Sequence, residues 1–121
     1  MSKLILVIED HEDSRCILQD LLSNAGYRVI EAITGEAGVA SAETHLPDLI
    51  LMDIRLPDID GYEATRRIKA KSNLEHIPII AVTSHALSGD YVRAAEAGCN
   101  AYVAKPFSPR QLLAKVNELL S

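Results

Sequence analysis

Residues 49–61 read Leu49-Ile50-Leu51-Met52-Asp53-Ile54-Arg55-Leu56-Pro57-Asp58-Ile59-Asp60-Gly61. Four apolar residues in succession leave no polar face, which is the pattern of a strand buried on both sides within a parallel sheet. The run ends on a carboxylate, placed where desolvation disfavours its charge and demands compensation. Beyond it the chain turns: Asp58-Ile59-Asp60-Gly61 reads as a loop that enters a helix.

The same strand-then-helix unit recurs outward in both directions. Strands are predicted over Leu4 to Ile8, Arg28 to Glu31, Leu49 to Met52, Ile79 to Val82 and Ala101 to Val103, and only the second lacks a continuous apolar run, so only it reads as an edge. Helices are predicted between and after them, over Asp13 to Asn24, Glu36 to His45, Gly61 to Lys71, Ser88 to Ala97 and Pro109 to Leu120. In the last of these, Leu112, Leu113, Val116, Leu119 and Leu120 fall on one face of a 3.6-residue period, and that face must pack on the sheet. Its start is marked by Ser108 as N-cap, Pro109 at the first helical position and Gln111 three residues after the cap. Asn24-Ala25-Gly26 and Ala97-Gly98 read as helix ends with glycine in the left-handed position. Strict alternation of strand and helix implies a parallel α/β sheet without internal repeat or linker.

Size and composition agree with a single domain. At 121 residues the chain can bury a core without disulfide or metal staples. A net charge of −5 and the lack of any Lys/Arg run exclude binding to nucleic acid through a basic patch. Cys16 and Cys99 lie far apart with no zinc or redox spacing and are expected to be buried free thiols. The apolar run after Met1-Ser2-Lys3 is too short for a signal peptide or a membrane span, which points to a cytoplasmic protein.

In such a sheet, ligands bind beyond the carboxyl ends of the strands. There the sequence places Glu9 and Asp10 after the first strand, Asp53 at the end of the third, Thr83 and Ser84 after the fourth, and Lys105-Pro106 after the fifth. If the first and third strands are neighbours, three carboxylates crowd together, and two such charges ~4 Å apart repel by about 4 kcal/mol at an effective dielectric near 20. Lys105 alone cannot balance three acids. A hard divalent cation fits best, Mg²⁺ in particular, which takes one or two carboxylates plus water and a phosphate oxygen. A metal beside a carboxylate, with a hydroxyl and an ammonium at hand, suits phosphoryl transfer to an aspartate, with Asp53 as nucleophile. The four histidines, His11, His45, His76 and His85, show no ligand spacing, and none is assigned a catalytic role.

From about Lys3 to Leu120 the chain resembles the response-regulator receiver domain. The resemblance is carried by Ile8-Glu9-Asp10, by Leu51-Met52-Asp53-Ile54-Arg55-Leu56-Pro57 with Asp60-Gly61, by Val82-Thr83, and by Tyr102-Val103-Ala104-Lys105-Pro106. It implies a doubly wound, flavodoxin-like sheet of five parallel strands in the order 2-1-3-4-5 with five helices, residues 1–121 forming one receiver domain. It implies that Asp53 is the phosphoacceptor, that Glu9 and Asp10 with Asp53 and the backbone carbonyl of Arg55 hold Mg²⁺ or Mn²⁺, and that Thr83 and Lys105 contact the phosphoryl oxygens. Glu9, one methylene longer than the aspartate often found at its position, would reach the metal through water. The resemblance implies further that the side chains of Arg55 and His85 influence the lifetime of the phosphoryl group. Thr83 and Tyr102 would act as the switch, remodelling the face made by the fourth helix, fifth strand and fifth helix.

The implied protein is a regulatory switch and not an enzyme of multiple turnover. Its donor would be a histidine kinase or histidine phosphotransfer protein, its target a downstream effector protein, and its state a monomer or a weak phosphorylation-dependent dimer. With no output domain attached, its signal must pass through another protein, with no direct contact to nucleic acid or membrane.

Two other classes fit the residues less well. A nucleotide- or flavin-binding protein needs a phosphate cradle after the first strand, where Glu9-Asp10-His11-Glu12-Asp13 stands instead. An aspartyl-phosphate phosphatase usually carries a second acid two residues after its nucleophile, where this chain has Arg55. Taken singly, Asp10 reads more readily as a helix cap, Thr83 as a turn hydroxyl and Lys105 as a solvated charge, and Tyr102 reads also as a half-buried aromatic; it is the coincidence of acids, hydroxyl and amine on one edge that reverses the balance.

Overall fold

The computed structural model describes residues 2–83 and 90–120. Its elements are β1 (Leu4–Ile8), α1 (Glu12–Asn24), β2 (Arg28–Ala32), α2 (Gly35–His45), β3 (Leu49–Asp53), α3 (Gly61–Lys69), β4 (Ile79–Thr83), α4 (Asp90–Ala97), β5 (Ala101–Ala104) and α5 (Pro109–Leu120). Four strands run one residue further than expected, so Asp53 and Thr83 close their strands instead of coming after them. The expected start of the fourth helix at Ser88 lies outside the described residues.

The strands form one parallel sheet in the order β2-β1-β3-β4-β5. Both ends of that order are edges, so β5 is an edge strand as well as β2. The apolar spelling of β5 hid this, because Ala101, Tyr102 and Ala104 are only half-buried. By contrast β3 and β4 are buried at every position, as strands covered on both faces must be.

Alternate residues of each strand feed two apolar layers. Ile5, Val7, Leu49, Leu51, Ile80, Val82 and Val103 meet Leu18 and Leu22 of α1 and Leu112 and Val116 of α5. Leu6, Ile8, Ile50, Met52 and Ile79 point the other way, toward Val39 and Ala42 of α2 and Ala64 and Ile68 of α3. Each fully buried aliphatic side chain contributes roughly 1.5–3 kcal/mol, and a slip of one residue would turn every strand inside out, so this pattern holds the register. The Tyr27 hydroxyl donates to Asn117, tying the chain ahead of β2 to α5 across the edge.

The caps reflect the local chemistry. Asp60 accepts from the Glu63 amide at 2.8 Å, Thr34 from Ala37 at 3.0 Å, and Ser108 from Gln111 at 3.0 Å while the Gln111 side chain accepts from the Ser108 amide at 3.1 Å. Gly26 (φ 97°) and Gly98 (φ 109°) occupy the left-handed positions expected of them. Helix α3 stops at Lys69, two residues short of expectation. There the bonding tightens to Lys71 N–H onto the Ile68 carbonyl, and the Lys69 ammonium turns back onto the carbonyls of Ile77 (2.7 Å) and Glu75 (3.1 Å). Cys16 corrects the expectation of two buried thiols. It is exposed because it lies across α1 from the buried Leu18 and Leu22, whereas Cys99 is partly buried against Thr65.

Gly61 sets how close α3 comes to the end of β3. A Cβ there would stand 2.4 Å from the Asp53 carbonyl oxygen and 2.8 Å from Ile54 Cα, both backbone atoms that cannot step aside. The Gly61 amide bonds the Ile54 carbonyl at 2.9 Å across this contact. Gly61→Ala is therefore expected to lower stability by about 2–3 kcal/mol in urea unfolding. Gly26→Ala, which meets no atom within 4 Å and faces only left-handed strain, should cost about 1 kcal/mol.

Candidate functional site

The carboxyl ends of β1, β3, β4 and β5 gather the acids, the threonine and the lysine at one edge. Because β1 pairs with β3, with Ile8 opposite Met52, the next residues Glu9 and Asp53 come together. Glu9 is 1% exposed and Asp53 6%, and a ligand atom from each of Glu9, Asp10, His11 and Asp53 lies within 4.8 Å of the others. Thr83 is buried at the end of β4, and its carbonyl accepts from the Lys105 amide at 2.6 Å, so β4 carries the last strand's exit to the site. Lys105 then reaches back, its ammonium 2.6 Å from Glu9 Oε1.

That ion pair divides the charge unevenly. Burial opposes ionisation of Glu9, but the Lys105 ammonium, contact with Asp53 and the His11 amide on Oε2 (3.2 Å) hold its carboxyl below the ordinary value. Asp53 moves the opposite way. Burial first, then the hydrogen bond to and charge of Glu9, raise it from 3.8 to about 7, against a smaller opposing pull from Lys105. Asp53 therefore holds its proton more tightly than an ordinary carboxyl, and a divalent cation beside it would favour the loss of that proton.

The Asp10 carboxylate has a buried Oδ1 atom that accepts no hydrogen bond among the described residues, its near neighbour being His11 Nδ1 at 3.3 Å. The orphaned Asp10 oxygen and the two buried carboxylates of Glu9 and Asp53 make a donor set that fits a hard cation. The Asp10 side chain does not cap α1, since His11 holds the cap position without a side-chain bond.

The loops are fixed by residues that sequence reasoning passed over. Arg15 donates to the carbonyls of Glu9 and Asp10, each at 3.2 Å, clamping the β1–α1 turn. Asp58 accepts from the Gly35 and Glu36 amides, each at 2.8 Å, binding the β3–α3 loop to the first turn of α2. Desolvation pushes the Asp58 carboxyl up, but those amides, with the amides of Ile59 and of Asp58 itself, together outweigh it and hold the carboxyl below its usual range. Neither role has a sequence signal, because each partner lies in another unit of the fold or at a spacing no motif defines. His11, read from the sequence as showing no ligand spacing, lies with Glu9, Asp10 and Asp53 in the same cluster, and its one signal is its place directly after Glu9-Asp10.

The Arg55 amide approaches Asp53 Oδ1 at 3.4 Å. Tyr102 is half-buried on β5 and meets Tyr91 of α4 edge-on, with ring centres 6.1 Å apart. Ser84 and His85 lie outside the described residues. Among the described residues no helix is long and apolar enough to cross a membrane.

This arrangement has relatives. The sequence pattern of the response regulator receiver domain matches residues 5–117. The polar-differentiation response regulators DivK of Brucella ovis and Brucella abortus are each 39% identical over 120 residues, which is 99% of this chain and 98% of theirs. The receiver domain of a sensor histidine kinase from Pseudomonas aeruginosa, with a magnesium ion coordinated in its active-site cleft, superposes with a TM-score of 0.93 at 41% identity, over 99% of this chain and 98% of that one. A CheY-like response regulator receiver protein from Methanospirillum hungatei gives 0.90 at 34% identity, over 99% and 94%. The chain belongs to the response-regulator receiver domain family, and is a signalling module of two-component phosphorelay systems.

Two outcomes are expected of the buried charges in solution freed of divalent cations. Asp53 has a native pKa above its unfolded value, so the native state holds a proton that the unfolded chain lacks, and stability falls as pH rises from about 4 to about 7. Asp53→Asn removes this loss. By urea unfolding it should be about 2 kcal/mol more stable than the native protein at pH 8 and little different at pH 4, with a millimolar divalent cation narrowing the gap at pH 8. Lys105→Ala strands the Glu9 charge and should cost about 2 kcal/mol at pH 7. Much of that should return in the double variant with Glu9→Gln, as a double-mutant cycle would measure.

Proposed function

We propose that this chain is a stand-alone response regulator, residues 1–121 being its receiver domain, which accepts a phosphoryl group on Asp53 from a phosphohistidine of a histidine kinase or histidine phosphotransfer protein. The observation that carries this is the burial of Asp53 and Glu9 at one sheet edge with the orphaned Asp10 oxygen and the Lys105 ammonium beside them. Mg²⁺ or Mn²⁺ would be held by Glu9, Asp10, Asp53 and the backbone carbonyl of Arg55, with Glu9 acting through water because Lys105 already occupies Oε1. When bound, the ion supplies charge that neutralises the carboxylates and the incoming phosphoryl oxygens.

An Asp53 carboxylate oxygen attacks phosphorus, the phosphorus–nitrogen bond to the donor imidazole breaks, and the imidazole leaves with the electron pair and takes up a proton. Lys105 exchanges some of its contact with Glu9 for a phosphoryl oxygen, and the Thr83 hydroxyl donates to another. The new charge and acceptor oxygens draw Thr83 inward and change the setting of Tyr102, so the face made by α4, β5 and α5 is remodelled for a downstream effector protein or for a weak dimer. A coupling of roughly 1–3 kcal/mol between site and face is enough for such a switch. The side chains of Arg55 and His85 tune the lifetime of the acyl phosphate. The protein assists only its own phosphorylation and dephosphorylation, with no substrate of multiple turnover, and works in the cytoplasm beside its ATP-fed donors.

Intact-mass analysis after incubation with acetyl phosphate tests the acceptor. A gain of one phosphoryl group is expected with Mg²⁺, with little or none in its absence, and none in Asp53→Asn. Undiminished labelling of that variant would move the acceptor elsewhere.

A further inference from the structure

The loop after β1 brings one nitrogen into a group of oxygens. His11 Nδ1 stands 3.3 Å from Asp10 Oδ1 and 3.6 Å from Glu9 Oε2, and it joins the atoms of Asp53 within the same 4.8 Å span. Two ligands each ~2.1 Å from one ion are separated by about 3.0 Å at an octahedral edge and about 3.4 Å at a tetrahedral one. The 3.3 Å between His11 and Asp10 falls in that interval without any rotation of either side chain. The oxygen on that edge is the buried Asp10 Oδ1, for which the described residues offer no hydrogen-bond donor. Glu9 is less available, one of its oxygens taken by the Lys105 ammonium and the other by the His11 amide.

We propose that His11 is an inner ligand of the metal site, and that this chain therefore favours nitrogen-accepting divalent ions, manganese and zinc, over magnesium. The inference rests on the metal site described under the proposed function and adds to it a residue and a selectivity. Mg²⁺ prefers an all-oxygen shell and gains little from an imidazole, whereas Mn²⁺ and still more Zn²⁺ take neutral imidazole readily. Asp10 and His11, adjacent in sequence on a turn clamped by Arg15, present a chelating edge of one oxygen and one nitrogen. His11 is 73% exposed on its side chain and caps α1 without a side-chain bond, so its removal leaves the helix start intact.

Calorimetric titration of the full chain and of His11→Ala with Mg²⁺, Mn²⁺ and Zn²⁺ is the test, joined by electron spin-echo spectroscopy of the Mn²⁺ complex. The expected result is a loss of about tenfold or more in Zn²⁺ affinity and a smaller loss for Mn²⁺ in the variant, with Mg²⁺ affinity changed less than about twofold. The native Mn²⁺ complex should show nitrogen modulation from a coordinated imidazole, absent in His11→Ala. For each ion an affinity unchanged between the native protein and His11→Ala, or a native complex without the nitrogen signal, would overturn the assignment. Zinc held by His45, His76 or His85 would persist in the variant and so reads as equal affinity. Mg²⁺-dependent labelling by acetyl phosphate separates the two levels. Normal labelling with an unchanged metal ranking refutes only the role of His11, and absence of labelling in both proteins refutes the site itself.

Discussion

Three carboxylates brought to the same end of a parallel sheet cannot all remain ionised without positive charge among them, and the rest of the site is arranged around that constraint. The Lys105 ammonium meets Glu9 at 2.6 Å and leaves Asp53 to take the strain, with a pKa near 7. The protein thus keeps a deficit of positive charge at the end of β3, beside the proposed acceptor Asp53. A cation relieves the deficit, and the free energy released on relieving it is available for binding.

Strand order creates the crowding. With β1 and β3 adjacent, Glu9 and Asp53 come directly after paired residues, and with β4 and β5 next in line, Thr83 and Lys105 arrive on the opposite flank of Asp53. The buried aliphatic layers on both sides resist any slip that would part them. Close approach at Gly61 presses α3 against the Asp53 backbone, and the Asp58 bonds to α2 hold the intervening loop. Asp53 stands on a strand buried at every position, while Tyr102 stands on the half-buried edge strand, where fewer contacts oppose a change of packing.

Kinship with DivK regulators and with the receiver of a sensor histidine kinase places the chain in phosphorelay signalling. The loop after β1 carries Glu9, Asp10 and His11 in succession, so the groups that could hold a metal there include a nitrogen as well as oxygens.

Much of this was legible in the residue order. Five βα units, the two-sided burial of β1, β3 and β4, the caps at Asp60 and Ser108 and the left-handed glycines all arise from periodicity and local bonding, which act over a few residues. The acids, threonine and lysine at strand ends were legible for the same reason, since a polar residue that stops an apolar run marks the edge of the sheet. The alternation left the lateral relations open: that β5 is an edge, that Cys16 faces water, that Arg15 and Asp58 brace the loops, and that Glu9 rather than Asp53 takes the lysine. Each of these depends on a partner many residues away or across a helix. Distance through space, dielectric and competition for one ammonium are properties of the packed molecule, and only the tertiary structure decided them.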